Sequence, residues 1–188
     1  MVVGTAAPGS VRALLGDEGR FEFPFPTLSF GIPPAERSLQ TMTEELTEFD
    51  MALGSGIAAF ETRQFARAAG LLSPLADAGN PQAQYRIAIM AQNGLGMHEN
   101  HLLAFKYMKA AAEAGLDIAQ HGLGFMYMEG ECTEKDPAKA VRWLEKAAEQ
   151  GLIGSQTTLA MMYEEGRGVE KDQEEANKWY RMAGFEER

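Results

Sequence analysis

Apolar residues recur at helical spacing through most of this chain, in segments separated by glycine-containing loops. In one segment, Ile87, Met90 and Ala91 are three and four residues apart, so they share one helix face. Asn80 and Pro81 precede them and are typical of a helix start, because asparagine caps the first turn and proline suits its first position. The pattern predicts a helix that begins at Pro81.

The same pattern returns every 36 residues. The recurring positions are a glycine, a capping residue, an alanine and an aromatic residue, in the copies Gly94, Gly130 and Gly166; Asn100, Asp136 and Asp172; Ala104, Ala140 and Ala176; and Tyr107, Trp143 and Trp179. A fixed period of this length is typical of a solenoid of stacked helical hairpins. The sequence therefore predicts three units, over residues 81–116, 117–152 and 153–188.

Local signals predict the ends of these helices. Asp117 and Ser155 are the expected starts of the first helices of the second and third units. Glu175 stands three residues after Asp172, a spacing typical of a capping box. Small residues recur at the positions expected to let neighbouring helices approach closely, which are Ala88, Gly124 and Ala160.

The repeated strings resemble a known family. AQYRIAIMAQNGLG, GLGFMYMEG and TLAMMYEEGRGVEKDQEEANKWYRMAG are similar to Sel-one-like repeats, relatives of the tetratricopeptide repeat, and the resemblance covers about residues 81–188. It implies an all-α fold, a right-handed α-solenoid that serves as an adaptor or scaffold in protein complexes. Some secreted members carry paired cysteines in each repeat and are linked to β-lactam binding, and this chain lacks those cysteines.

A fourth hairpin is predicted at residues 41–80, before the clear repeats. Thr41 and Glu44 form a capping-box pattern, and a four-residue turn at 61–64 replaces the glycine loop. One helical stripe runs along its first helix and consists of Leu46, Phe49, Leu53, Ile57 and Phe60. We interpret this unit as a plain tetratricopeptide-like cap on the N-terminal side of the solenoid.

Residues 1–40 differ in kind, because they are rich in glycine and proline. Pro24 and Pro26 exclude a helix and predict an extended arm. The arm holds a cluster of aromatic residues at Phe21, Phe23, Phe25 and Phe30. Disordered linkers are normally poor in aromatic residues, so we expect the arm to dock, either on the helices of its own chain or on a partner.

Charge and composition narrow the class of partner. The net charge of −10 and the pI near 4.8 argue against binding to nucleic acid and to anionic membrane surfaces. No apolar run is long enough to cross a membrane, and the N-terminus does not resemble a secretory signal. These features predict a cytoplasmic protein, or a periplasmic one if a signal peptide has been removed.

The first helices of such solenoids line the concave side, where extended ligands lie. If the recurrent core positions point inward, a second face remains, which we call the concave strip. Its residues are Leu53, Ile57, Phe60, Tyr85, Ile89, Gln92, His121, Phe125, Met128, Thr157, Met161 and Glu164. With Glu129 and Glu165 at its edge, the strip suits a protein segment that is apolar with basic flanks. The alternative is that superhelical winding buries much of it as core.

Candidate catalytic chemistry is sparse. His98, Glu99 and His101 form an isolated loop motif, and a solvated loop is the preferred interpretation over a metal site. Cys132, the single cysteine, stands where other units have Gly96 or Gly168, so we expect a positive φ there and a thiol whose pKa is raised by its acidic neighbours Glu131 and Glu134. The sequence predicts a protein-binding adaptor or accessory subunit with no cofactor or metal, rather than an enzyme. The alternatives are a structural subunit anchored by the arm and a metal-dependent or thiol hydrolase.

Overall fold

Helices account for all the regular structure in the residues described here. The computed structural model describes residues 39–185, with side-chain surroundings from residue 47 onward. The helices of this part of the chain are α1 (Leu39–Glu61), α2 (Phe65–Asp77), α3 (Pro81–Asn93), α4 (His101–Glu113), α5 (Asp117–Glu129), α6 (Pro137–Glu149), α7 (Ile153–Glu165) and α8 (Gln173–Met182). Each helix packs on the next one along the chain, so four hairpins stack in sequence order. The predicted all-α solenoid is confirmed.

Side chains cap α3, α4, α6 and α8 where the sequence predicts it. Asn80 accepts a hydrogen bond from the Ala83 amide, and Gly94 ends α3 with a φ of +64°. The second helices use Asn100, Asp136 and Asp172, each accepting a hydrogen bond from the backbone of the first helical turn.

Helix α5 begins at Asp117, as expected, and its N-cap residue Leu116 makes no side-chain hydrogen bond. Three other local predictions are wrong. Helix α7 begins at Ile153, after the N-cap residue Leu152, and not at Ser155. Ser155 is fully buried inside α7, and α1 begins at Leu39, so Thr41 lies within the helix instead of capping it. The capping box at Asp172 is also incomplete. The Asp172 amide bonds to the Tyr163 carbonyl, and the carboxylate of Glu175 pairs with Lys178.

The seam between the two helices of each hairpin is built from the predicted small residues. Ala88 and Ala160 are fully buried, as are the three recurring alanines of the second helices. At Gly124 the packing is tight, because an added Cβ would lie 2.7 Å from the Leu144 Cγ atom. Gly56 plays the same part in the first hairpin, where a Cβ would meet the side chain of Leu72 at 2.5 Å. These contacts set how closely the helices approach.

A series of glutamines joins each hairpin to the one before it, and our sequence analysis missed it. The amide nitrogens of Gln84, Gln120 and Gln156 donate to the carbonyl oxygens of Ala76, Ala112 and Ala148, at 3.1, 3.2 and 3.0 Å. The three glutamines are buried and keep the 36-residue spacing. The same carbonyl oxygens, near the ends of α2, α4 and α6, also accept hydrogen bonds from the amides of Gly79, Gly115 and Gly151, so each glutamine adds a second donor from the next hairpin.

Each glycine loop lies against the preceding hairpin. A Cβ at Gly96 would lie 2.4 Å from the carbonyl carbon of Phe65, and one at Gly168 would lie 2.4 Å from the carbonyl oxygen of Pro137. Both glycines have positive φ, and Cys132 takes the same conformation at +60°, as predicted. In the first hairpin the tight turn after α1 places Arg63 at a φ of +59° instead.

Candidate functional site

The concave strip lies on α1, α3, α5 and α7, and its exposure increases towards the C-terminal hairpins. Eight of the predicted side chains are half-buried, namely Leu53, Ile57, Phe60, Tyr85, Ile89, Gln92, His121 and Thr157. Phe125 and Met161 are 39% and 47% exposed, and Glu164 is exposed as well. Met128, at 5% exposure, belongs to the core of the last two hairpins. Access to the strip is therefore greatest at α5 and α7.

An apolar cleft of ≈ 190 Å³ lies between α5 and α7. Its lining residues are Phe125, Met128, Thr158, Met161, Met162, Glu165 and Arg167. Met128 and Met162 are nearly inaccessible and lie deepest, whereas Phe125 and Met161 are more exposed. Thr158, Met162 and Arg167 are outside the predicted strip, although the methionine-rich run around residue 161 was visible in the sequence. Flexible thioethers beside an aromatic ring suit an apolar side chain of a partner.

His121 fixes the orientation of this surface. Its Nδ1 atom lies 2.7 Å from the hydroxyl oxygen of the fully buried Ser155 on α7. Its ring packs against that of Phe125, with centroids 4.8 Å apart. Burial lowers the pKa of His121 below its ordinary value, so the neutral ring is favoured. Because Ser155 is buried away from solvent, this Ser–His pair supports the contact between α5 and α7 rather than attack on a substrate.

Negative charge collects where α5 and α7 end. Glu129 is the last residue of α5, and Glu164 and Glu165 are the last two of α7. The carboxyl end of a helix already carries partial negative charge, and neither helix has a basic residue in its last turn. Glu165 pairs with Arg167 at 2.6 Å, and Glu164 accepts a hydrogen bond from the Tyr180 hydroxyl at 3.0 Å. The carboxyl ends of α5 and α7 therefore attract a positively charged group.

Helix α3, in the N-terminal half of the strip, carries a cation. The Arg86 guanidinium on α3 lies over the Phe60 ring, 5.9 Å from its centroid. Its Nη1 atom donates to the carbonyl oxygen and the side-chain oxygen of Gln82, at 3.1 and 2.7 Å. Burial lowers the pKa of Arg86, and the nearby Glu61 partly opposes this effect. Between the two ends, the Gln92 amide donates to Glu131 at 2.9 Å and links α3 to the next loop.

The other candidate reactive residues lie in the glycine loops, except for His101, which is the first residue of α4. His101 contacts Glu99 at 2.7 Å, and both side chains are more than half exposed. Burial raises the pKa of the Cys132 thiol, and Glu131 and Glu99 raise it further, so Glu99 of the neighbouring loop acts where we expected Glu134. Among residues 39–185, no group of three or more His, Cys, Asp or Glu side chains is arranged to hold a metal ion. The helices in that range include none long and apolar enough to cross a membrane. The phenylalanines of the predicted arm, at 21, 23, 25 and 30, lie outside the described residues.

Comparison with solved structures places the fold among known repeat proteins. The chain is similar to a Sel1 repeat protein from Oxalobacter formigenes, with 34% sequence identity and a TM-score of 0.67 over 71% of this chain and 53% of that one. It is also similar to c5321, a protective antigen present in uropathogenic Escherichia coli strains that displays an SLR fold, with 30% identity and a TM-score of 0.69 over 74% of this chain and 31% of that one. The chain thus spans about half of the first protein and about a third of the second. None of the curated proteins matches the sequence.

A model of the Sel1 repeat matches residues 81–116, 117–152 and 155–184. The matched units correspond to the hairpins formed by α3 and α4, by α5 and α6, and by α7 and α8. Because these matches cover more than half of the sequence, the chain belongs to the Sel1 repeat family.

Proposed function

We propose that this protein is an adaptor that binds a polypeptide segment along its concave strip. Sel1 repeat proteins generally mediate protein–protein interactions, and the family is generally a non-enzymatic scaffold. The observation that carries the proposal is the pair of large apolar side chains, Phe125 and Met161, that stand partly exposed at a cleft lined by buried methionines. A single exposed apolar residue is ordinary, whereas two that flank a concave apolar site favour a partner.

The chemistry of the cleft indicates what kind of segment it takes. An apolar side chain of the partner enters between α5 and α7, and a lysine or arginine beside it approaches Glu129 and Glu164. The cation is attracted both by these carboxylates and by the carboxyl ends of the two helices. The four phenylalanines of the predicted arm, which lie outside the described residues, are a second candidate contact with the partner.

The test is a comparison of two charge substitutions at exposed apolar positions. Phe125→Glu places a carboxylate in the cleft, whereas Leu102→Glu places one on α4, where the side chain is 83% exposed and outside the strip. Each variant is used to capture partners from a cell extract, and the affinity for an identified partner is then measured by calorimetry.

We expect Phe125→Glu to weaken binding by about 2 kcal/mol or more, as for an aromatic anchor in an interface. Leu102→Glu should leave the affinity unchanged, and both proteins should unfold at nearly the temperature of the parent. Normal binding by folded Phe125→Glu would refute the assignment of the cleft. A collapse of its thermal stability would show that Phe125 is a core residue.

A further inference from the structure

The repeat places Arg86 and Thr158 at the same position, because the two residues are two periods of 36 apart. Thr158 lines the open cleft beside α7. At the equivalent place on α3, the long side chain of Arg86 extends over the Phe60 ring. In the hairpin between them the position is Gly122, which has no side chain. One position of the repeat is thus a cation at one end of the strip and a short polar group at the other.

The guanidinium of Arg86 has spare hydrogen-bonding capacity. Its contacts run through Nη1 to Gln82, and its buried Nε atom has no hydrogen-bond partner. No carboxylate within residues 47–185 forms an ion pair with it, and Glu61 acts on it only from a distance. A partly buried cation without an anionic partner is unfavourable, and a guanidinium is well suited to bind a carboxylate through two parallel hydrogen bonds.

The other end of the strip has the opposite charge. Arg86 is the single charged residue of α3, whereas α7 has Glu164 and Glu165 as its charged residues. Helix α5 between them ends at Glu129. From α3 to α7 the strip therefore changes from positive to negative, whereas α1, before α3, has the acidic residues Glu48, Asp50 and Glu61 and no basic residue. A segment whose charges are distributed symmetrically binds this gradient equally well in both orientations. A segment with separated charges is attracted in one orientation and repelled in the other.

We infer that the strip binds its segment in a single orientation, with an acidic side chain of the segment at Arg86 and an apolar–basic pair at the cleft between α5 and α7. This inference rests on the proposed function and adds the order of charges that the bound segment must have. Arg86 is the residue that binds the acidic side chain of the segment.

Geometry sets the spacing between the two contacts. Helices α3 and α7 belong to hairpins two steps apart, and packed helices lie about 8–10 Å apart, so the contacts are separated by about 20 Å. An extended chain advances about 3.3 Å per residue, which corresponds to about six residues. The segment thus has an Asp or Glu about six residues from an apolar residue that is flanked by Lys or Arg.

The experiment is the selection of a displayed library of random twelve-residue peptides on the full chain. We expect the enriched peptides to share an acidic residue at about this spacing from an apolar–basic pair, in one order along the peptide. A synthetic peptide of this kind should bind about tenfold more tightly than one of the same composition with its acidic and basic residues exchanged.

Substitution of Arg86 then isolates the acidic contact. Arg86→Gln should weaken binding of the selected peptide about tenfold and leave unchanged the binding of its Asp→Asn counterpart. Arg86→Lys keeps the charge without the planar fork and should fall between the two, with a melting curve that shows an intact fold. The inference is overturned if the enriched peptides lack an acidic residue, or if Arg86→Gln affects both peptides equally. The proposed function fails separately if no peptide is enriched, or if the enriched peptides bind Phe125→Glu normally.

Discussion

The seam between paired helices and the concave strip follow the same 36-residue period with opposite results. At the seam every hairpin repeats nearly the same residue, as with Ala104, Ala140 and Ala176, and all three are fully buried. On the strip the residue changes each time, as with Ile89, Phe125 and Met161, and its exposure increases along the chain. Positions that must fit a neighbouring helix are held constant by packing, whereas positions on the strip are free to differ. Under the proposed function, these differences give the strip its specificity.

A matched pair of truncations, one at the seam and one on the strip, tests the difference between the two regions most directly. Leu144 is fully buried at the seam, so Leu144→Ala should lower the free energy of unfolding by about 2–5 kcal/mol through lost burial and a residual cavity. Met161→Ala removes a side chain that is 47% exposed and should cost about 1 kcal/mol or less. Urea unfolding of both variants measures the difference. Equal losses would show that the strip is part of the core.

A second pair tests the loops that bring the hairpins together. Gly94 and Gly96 both have positive φ, but a Cβ at Gly94 would find its nearest neighbour at 3.6 Å. We expect Gly96→Ala to cost about 2 kcal/mol more than Gly94→Ala, because the Phe65 backbone must move. Denaturant midpoints of the two variants provide the measurement, and similar midpoints would mean that the loop can retreat from α2 at little cost.

A substitution at Cys132 should change the free energy of unfolding by a smaller amount, and should increase it. Glycine adopts a φ near +60° without the penalty that a side chain incurs, so Cys132→Gly should raise the free energy of unfolding by about 1 kcal/mol. This gain is reduced by the loss of the packing of Cys132 against the core. A decrease in the urea midpoint would show that packing of the thiol outweighs strain in the backbone.

The smallest effect we expect is a dependence of stability on pH through His121. Its pKa is lowered in the folded protein by burial, so protons bind the unfolded chain more strongly. The stabilising contribution is fully present above the ordinary value of 6.5 and is lost as pH falls through the lowered folded pKa. Comparing unfolding at pH 7 and at about pH 5 for the parent and His121→Gln should show a steeper decline in the parent. Parallel curves would exclude His121 as the source.

The repeat could be predicted from the sequence because packing and capping require particular residue types at fixed intervals. The same 36-residue register shows that Ser155 is a buried position and not a helix start, because it aligns with Ala83 and Ala119, both fully buried. The glutamine series was visible in the same way, but polar residues at helix starts suggested caps more readily than buried hydrogen bonds.

The exposure of the strip could not be predicted from the period. Met128 and Phe125 lie on the same helix face in sequence terms, and one is buried while the other is 39% exposed. That difference depends on how each hairpin turns relative to the next, which is set by many contacts at once. The cation at Arg86 was also missed, since a lone arginine in a helix usually lies in solvent.

The glutamine bonds have a consequence for how such chains change in length during evolution. Every junction between hairpins uses the same pair, a glutamine near the start of one unit and an alanine carbonyl near the end of the previous one. If residues 117–152 were deleted from the gene, Gln156 would meet the carbonyl of Ala112 instead of that of Ala148. A duplicated unit would meet its neighbours through the same bond. Whole units are therefore interchangeable at their junctions, and natural selection can lengthen or shorten the concave strip in steps of one hairpin without changing the contacts between hairpins.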